Sequence, residues 1–219
     1  MAAKHRTNPL ALAVLICLFE RPMHPYEVAT VLRGRRKDES VRLNYGSLYS
    51  VVSSLERRGL VAAQGTAREG RLPERTVYEI TQPGRIEAHD WLSELLSTPT
   101  KEYPAFEAAL SFLPALPPED VVALLEHRAA SLELGLAQYR GARELVTEYK
   151  LPRLLWVEIE FAAAMRRAEL DYTRQLIADI LAGDLEGVEW WHQIHEGDGP
   201  PPPPPNSDRW PELARGAGH

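Results

Sequence analysis

Apolar residues occupy nearly every position from Leu10 to Phe19, whereas the later apolar positions recur at helical intervals. Asn8 ahead of Pro9 predicts a helix start, because an Asn side chain accepts from free backbone N–H groups and Pro is tolerated in the first turn. A segment so uniformly apolar reads as a helix buried on most faces of a small domain. Pro22 and Pro25 then interrupt the chain, and a second, short helix is predicted from about Pro25 to Arg33, containing Tyr26, Val28, Ala29 and Leu32, with Gly34 suited to stop it. Past the charged loop Arg35 to Glu39, the stretch between Asn44 and Gly59 places Leu48, Val51, Val52 and Leu55 on one narrow stripe. The opposite edge carries Gly46, Ser50, Ser53 and Arg57, flanked by Tyr49 and Ser54, so it is small, hydroxylated and cationic.

Leu60 to Gln64 and Thr76 to Thr81 are β-like runs separated by Gly65, Gly70 and Pro73, the spacing of a hairpin with a long tip holding Arg68, Arg71 and Arg75. Three helices followed by a basic two-stranded hairpin is the order of a winged helix-turn-helix, whose third helix enters the DNA major groove. The predicted fold class is therefore mainly α with a small β-hairpin wing. Pro83-Gly84 opens a further helix with Ile86, Trp91, Leu92, Leu95 and Leu96, ending before Pro99. A short helix over Phe106 to Leu116 and long ones over Pro118 to Glu148 and Pro152 to Ala182, the last stopped by Gly183, suit an α-helical interaction domain. Periodicity is lost beyond Asp184, and the unbroken Pro200 to Pro205 marks an extended segment with no core to join. The expected organisation is a winged domain over 1–82, a linking or dimerisation helix over 83–98, a helical dimerisation domain over 99–185 and a Pro-rich, disordered tail over 186–219.

The net charge of -6 argues against nucleic-acid binding over the whole surface, but it is unevenly distributed. Up to Ile86 there are fourteen Lys and Arg against eight Asp and Glu, so the phosphate-binding half is expected at the N-terminus. The single cysteine, Cys17, lies in the apolar run and reads as core; it rules out an internal disulfide and any multi-thiolate metal site. Lys4 and Arg6 ahead of Leu10 to Phe19 resemble a secretory leader, yet Glu20-Arg21-Pro22 stands where small cleavage-site residues belong. That run is also too short for the roughly 20 residues of a bilayer span, so a cytoplasmic protein with no membrane partner is expected. No Gly-rich phosphate loop, nucleophile elbow or metal-spaced cluster stands out, and His192, His195 and Glu196 match no zinc-enzyme spacing. No enzyme activity, cofactor or metal is expected.

Tyr45-Gly-Ser-Leu-Tyr49, Leu55-Glu-Arg-Arg-Gly-Leu-Val61 and Tyr78-Glu-Ile-Thr-Gln-Pro-Gly84 together resemble the PadR family of bacterial transcriptional regulators. His24-Pro-Tyr-Glu-Val28 is similar to that family's His-Gly-Tyr-Glu motif, with Pro25 in place of glycine, and Ser50 stands where many members have proline. The resemblance runs from about Asn8 to Thr98. From Glu102 to Ala182, including Tyr103-Pro-Ala-Phe-Glu-Ala-Ala-Leu-Ser-Phe112, the chain is similar to the longer C-terminal helical domain of one branch. It implies a homodimeric repressor that leaves its pseudo-palindromic operator when a small-molecule effector or another signal arrives.

Ser47, Tyr49, Ser50, Ser53 and Arg57 are then the expected recognition face, since hydroxyls meet phosphates or base edges and Arg takes guanine bidentately. Arg68, Arg71 and Arg75 would contact backbone or minor groove, and Tyr26 either a phosphate or a packing partner. Tyr45 and Leu48 read as packing residues. By resemblance Trp91 is the preferred effector-pocket candidate, weighed against a core or interface role; Trp156, Trp190 and Trp191 also attract attention as flat surfaces. The alternative function is a winged-helix adaptor that binds proteins and has lost DNA contact.

Overall fold

The computed structural model describes residues 8–67, 75–196 and 203–209. The chain divides into two compact units, Met1–Glu102 and Tyr103–His219.

In the N-terminal unit, α1 (Pro9–Glu20) is capped by Asn8, whose Oδ1 accepts from the Leu10 N–H at 3.1 Å. Its Leu10, Val14, Leu15, Cys17 and Leu18 are buried, as an apolar helix surrounded by others requires. Helix α2 (Pro25–Gly34) starts on a capping box: the His24 ring accepts from Tyr26 N–H, and the Glu27 carboxylate accepts from His24 N–H at 2.9 Å. Helix α3 (Tyr45–Arg57) is capped by Asn44 and buries Leu48, Val51, Val52 and Leu55. Strands β1 (Val61–Ala67) and β2 (Arg75–Ile80) form the antiparallel hairpin, with Val61 opposite Ile80 and Ala63 opposite Tyr78. The register shifts between Ala63 and Gly65, and Gly65 has φ +129, a conformation that L side chains rarely adopt.

Two features bind this hairpin to the helices. Met23, between α1 and α2, exchanges both backbone hydrogen bonds with Tyr78 at 3.0 Å, adding a one-residue third strand. Helix α4 (Gln82–Ser97) begins against the hairpin root, where Thr81 Oγ1 accepts from Gly84 N–H and donates to the Gly59 carbonyl at 2.7 Å. A Cβ on Gly84 would lie 2.0 Å from the Leu60 carbonyl oxygen, so this approach requires glycine. Ala88 and Trp91 of α4 join the same core as α1, which makes this helix part of the N-terminal unit rather than a bare linker.

The C-terminal unit holds α5 (Ala105–Leu110), α6 (Pro118–Glu148), α7 (Val157–Ala182) and α8 (Val188–Glu196). The helix expected over Phe106 to Leu116 is shorter: Pro114 follows α5 within a single 3-10 turn, Leu113–Ala115. The last long helix likewise starts at Val157 instead of Pro152, after another 3-10 turn at Arg153–Leu155. Helices α6 and α7 run antiparallel, for Val121 and Leu125 pack with Leu176 and Ile180 while Tyr139, further along α6, meets Arg166, earlier on α7. Gly183 ends α7 in the left-handed region at φ 76.

The tail expected over 186–219 departs from expectation in its first part. Residues 188–196 are helical, and Val188 and Trp191 are buried with Val121, Leu125, Leu176 and Ile180. Trp191 donates its indole N–H to the Leu116 carbonyl at 2.7 Å, which fixes the ring in this core. Val188, Trp191 and Ile194 do recur at helical spacing, but over only nine residues, fewer than the roughly 11–18 over which such a period reads clearly.

Candidate nucleic-acid interface

Helix α3 owes its orientation to its aliphatic stripe, with Leu48, Val52 and Leu55 at 2% exposure or less. That burial turns Ser47, Tyr49, Ser50, Ser53 and Arg57 outward, and all five are exposed. A shallow groove of about 480 Å³ runs between the start of α1 and this helix, with Asn8, Ala11, Ser47, Ser50 and Ser54 among its walls. The hydroxyl edge is therefore open within the chain. Ser50 donates its hydroxyl to the Gly46 carbonyl at 3.1 Å, which leaves the oxygen's acceptor capacity unused by this bond.

Aromatic contacts tie α2 to α3. Tyr26 is 51% exposed and stacks on Tyr45 with ring centroids 5.9 Å apart and planes 12° apart. The Arg33 guanidinium lies 4.4 Å from the Tyr45 ring centroid and donates to its hydroxyl. His24 meets Tyr49 edge to face at 6.2 Å. Tyr26 and Tyr49 thus stand on adjacent helices, each steadied by a neighbouring ring. Tyr45, expected as packing, does pack, but on a partly exposed ladder instead of in the core.

The charges differ in their commitments. Arg58 donates to Glu87 at 3.1 Å, Arg35 grips Glu20 through both terminal nitrogens at 2.5 and 2.8 Å, and Arg21 pairs with Glu27. The Arg35 guanidinium holds the Glu20 carboxyl below its ordinary range. Among the described residues, the Arg57 and Arg42 side chains form no hydrogen bond or ion pair, so their charges remain available. Arg42, two residues before the α3 cap, escapes the sequence reading because it precedes the periodic segment; its place in the short charged approach to Asn44 is the signal that could have found it. Arg75 opens β2 opposite Ala67, and Arg68 and Arg71 lie outside the described residues.

Trp91 is 1% exposed and sits among the core residues of the N-terminal unit, so it presents no free surface to a ligand in this arrangement. Cys17 is buried too, and desolvation, assisted by Glu20, raises its thiol pKa to about 11. His192 lies 3.4 Å from a Glu119 oxygen and His195 2.9 Å from the Pro114 carbonyl; these rings join α8 to its neighbours. Among the described residues no three His, Cys, Asp or Glu gather to hold a metal ion, and no helix is long and apolar enough to cross a membrane.

Three helices, a hairpin and an outward polar edge on the third helix define a winged helix-turn-helix unit. Residues 14–90, within the N-terminal unit, match the transcriptional regulator PadR-like family. The fold is similar to that of Bacillus subtilis PadR in complex with operator DNA, at 17% identity and a TM-score of 0.64, covering 78% of this chain and 98% of that one. It is similar also to the same protein in complex with p-coumaric acid, at 16% identity and a TM-score of 0.63, covering 77% and 96%. The Vibrio cholerae virulence activator AphA matches at 18% identity and a TM-score of 0.57, covering 79% and 98%. No curated protein sequence matches the chain.

Proposed function

We propose that this protein is a homodimeric, sequence-specific DNA-binding regulator that presents α3 to the major groove and the hairpin to the flanking backbone. The observation that carries the reading is the division of α3 into a fully buried aliphatic edge and an open edge of Ser47, Tyr49, Ser50, Ser53 and the uncommitted Arg57. Arg42, Tyr26 and the wing residues Arg68, Arg71 and Arg75 supply phosphate contacts on either side; Arg binds phosphate oxygens irrespective of sequence. Operator DNA in a fold relative supports this assignment.

Dimerisation is supported by α7, where Val157, Phe161, Met165 and Tyr172 are each about half exposed or more and follow one another at helical spacing. A second copy covering that stripe would set two winged units on half-sites about one DNA turn, roughly 34 Å, apart. The protein acts in the cytoplasm by binding instead of catalysis. Its control by a small molecule is supported by the p-coumaric acid complex of the same relative. Trp91 takes part in such control only if the packing around it opens.

Selection of bound fragments from the source genome, followed by footprinting, tests the reading. Two protected half-sites, with affinity falling steeply as salt rises, are expected. Absence of any selected fragment, or binding indifferent to salt, would favour the protein-binding adaptor.

A further inference from the structure

We propose that the α6–α7 hairpin carries a binding site for a small oxyanion with a flat apolar body, of the aryl phosphate or aryl carboxylate class, in the cavity beside Trp156. This cavity of about 410 Å³ lies wholly within the C-terminal unit, and its volume falls in the range of small-molecule sites. Its aliphatic lining is Leu136, Ile159, Ala163 and Ala164. The two aromatic walls have their polar atoms engaged elsewhere: Trp156 donates its indole N–H to the Leu151 carbonyl at 3.3 Å, and the Tyr139 hydroxyl accepts from Arg166. Trp156 offers the cavity ring surface, whereas one face of the Tyr139 ring carries the Arg166 guanidinium, 4.8 Å from its centroid.

Charge selects the ligand. Arg140, Arg143 and Arg167 line this one cavity, and none of their guanidiniums is hydrogen-bonded or ion-paired with a described residue. Glu160, the single acid in the lining, is occupied from outside by Arg153, which donates to its two carboxylate oxygens at 3.1 and 2.7 Å. That contact, with a weaker through-space effect of Arg143, holds the Glu160 carboxyl below its ordinary range. Three guanidiniums with no hydrogen-bonded or ion-paired partner among the described residues therefore line one cavity in the acidic part of the chain, where eleven Lys and Arg face twenty-three Asp and Glu after Ile86. Planar guanidinium forks match phosphate and carboxylate oxygens bidentately, and a flat ring beside them meets the aromatic walls. A dianion relieves the mutual repulsion of the three cations more fully than a monoanion does.

Calorimetric titration of the full chain without DNA separates this site from the regulator reading, since operator binding plays no part. The probes are 1-naphthyl phosphate, 1-naphthoate and neutral 1-naphthol. One site per chain is expected, tightest for the phosphate and at least about tenfold weaker for the naphthol, in keeping with a charge-assisted contact. Arg143→Gln and Arg167→Gln should each weaken the phosphate about tenfold and leave naphthol unchanged, with Arg143→Lys retaining part of the affinity. Arg174→Gln, whose charge pairs with Glu133 outside the cavity, should bind as the parent does. Equal affinity for phosphate and naphthol, an equal loss in Arg174→Gln, or no saturation by millimolar probe overturns the site. So does binding that appears only when Phe161→Asp has separated the chains, for a second copy then fills the cavity.

Discussion

Arg57 and Arg58 are adjacent in sequence, yet only Arg58 has its charge committed, to Glu87 on α4. On the proposed reading, removing Arg57 costs a DNA contact and no internal partner, so Arg57→Ala should weaken operator binding by about 1–3 kcal/mol while leaving the melting temperature unchanged. Tyr49→Ala should also weaken it, with the dimer intact. Operator affinity unaltered in both variants would discredit α3 as the reading element. A second residue-level expectation concerns Cys17, whose pKa of about 11 leaves little thiolate at pH 8. A thiol reagent should label the native protein negligibly and one site per chain once guanidinium unfolds it. The raised pKa also sets a direction: the thiol's contribution to stability is whole below pH 9.0, the ordinary value, and is lost as pH rises towards about 11, because only the unfolded chain ionises readily in that window.

At the scale of elements, the start of α4 is the most constrained junction. Gly84→Ala would push a methyl group into the Leu60 carbonyl and the Ile80 side chain, both backbone root and core of the wing. Overpacking of this kind costs about 1–3 kcal/mol, so a fall of at least about 4 °C in melting temperature is expected for the N-terminal unit. Gly141 on α6 provides the opposite case, since nothing lies within 4 Å of its added Cβ. Gly141→Ala should stabilise by about 0.5–1 kcal/mol through helix propensity alone. These elements also show what a sequence can disclose. Helices α1, α3 and α6 were legible because apolar residues run beside a local start or stop signal, Asn8-Pro9 for α1, Gly59 for α3 and Pro118 for α6. The open edge of α3 followed from the same period. The Met23–Tyr78 bridge, the burial of α8 and the Arg33 clamp on Tyr45 were not legible, for each depends on a residue brought from elsewhere in the chain. Trp91 read as a pocket candidate by resemblance, but spacing could not tell a core ring from a ligand platform.

For the whole molecule, the proposed function requires a protein of net charge -6 to hold a polyanion. One winged unit offers few uncommitted cations, and its acidic C-terminal unit repels DNA at long range. Tethering two such units makes the second half-site encounter intramolecular, which raises avidity by about 10²–10⁴ without any new contact. If α7 supplies that tether, its apolar stripe is the point at which the regulator can be dismantled without touching the DNA-reading surface. Phe161→Asp places a charge in the middle of the stripe, at a side chain 67% exposed in the isolated chain, so the fold itself should survive. Light scattering should then report a monomer with an unchanged helical spectrum. Operator affinity should fall by about two orders of magnitude or more, beyond what a single lost contact explains. The footprint on a lone half-site, where avidity plays no part, should remain as weak as the parent's. A Phe161→Asp chain that still sediments as a dimer would move the tether away from α7, and a monomer that binds the full operator undiminished would remove the need for one.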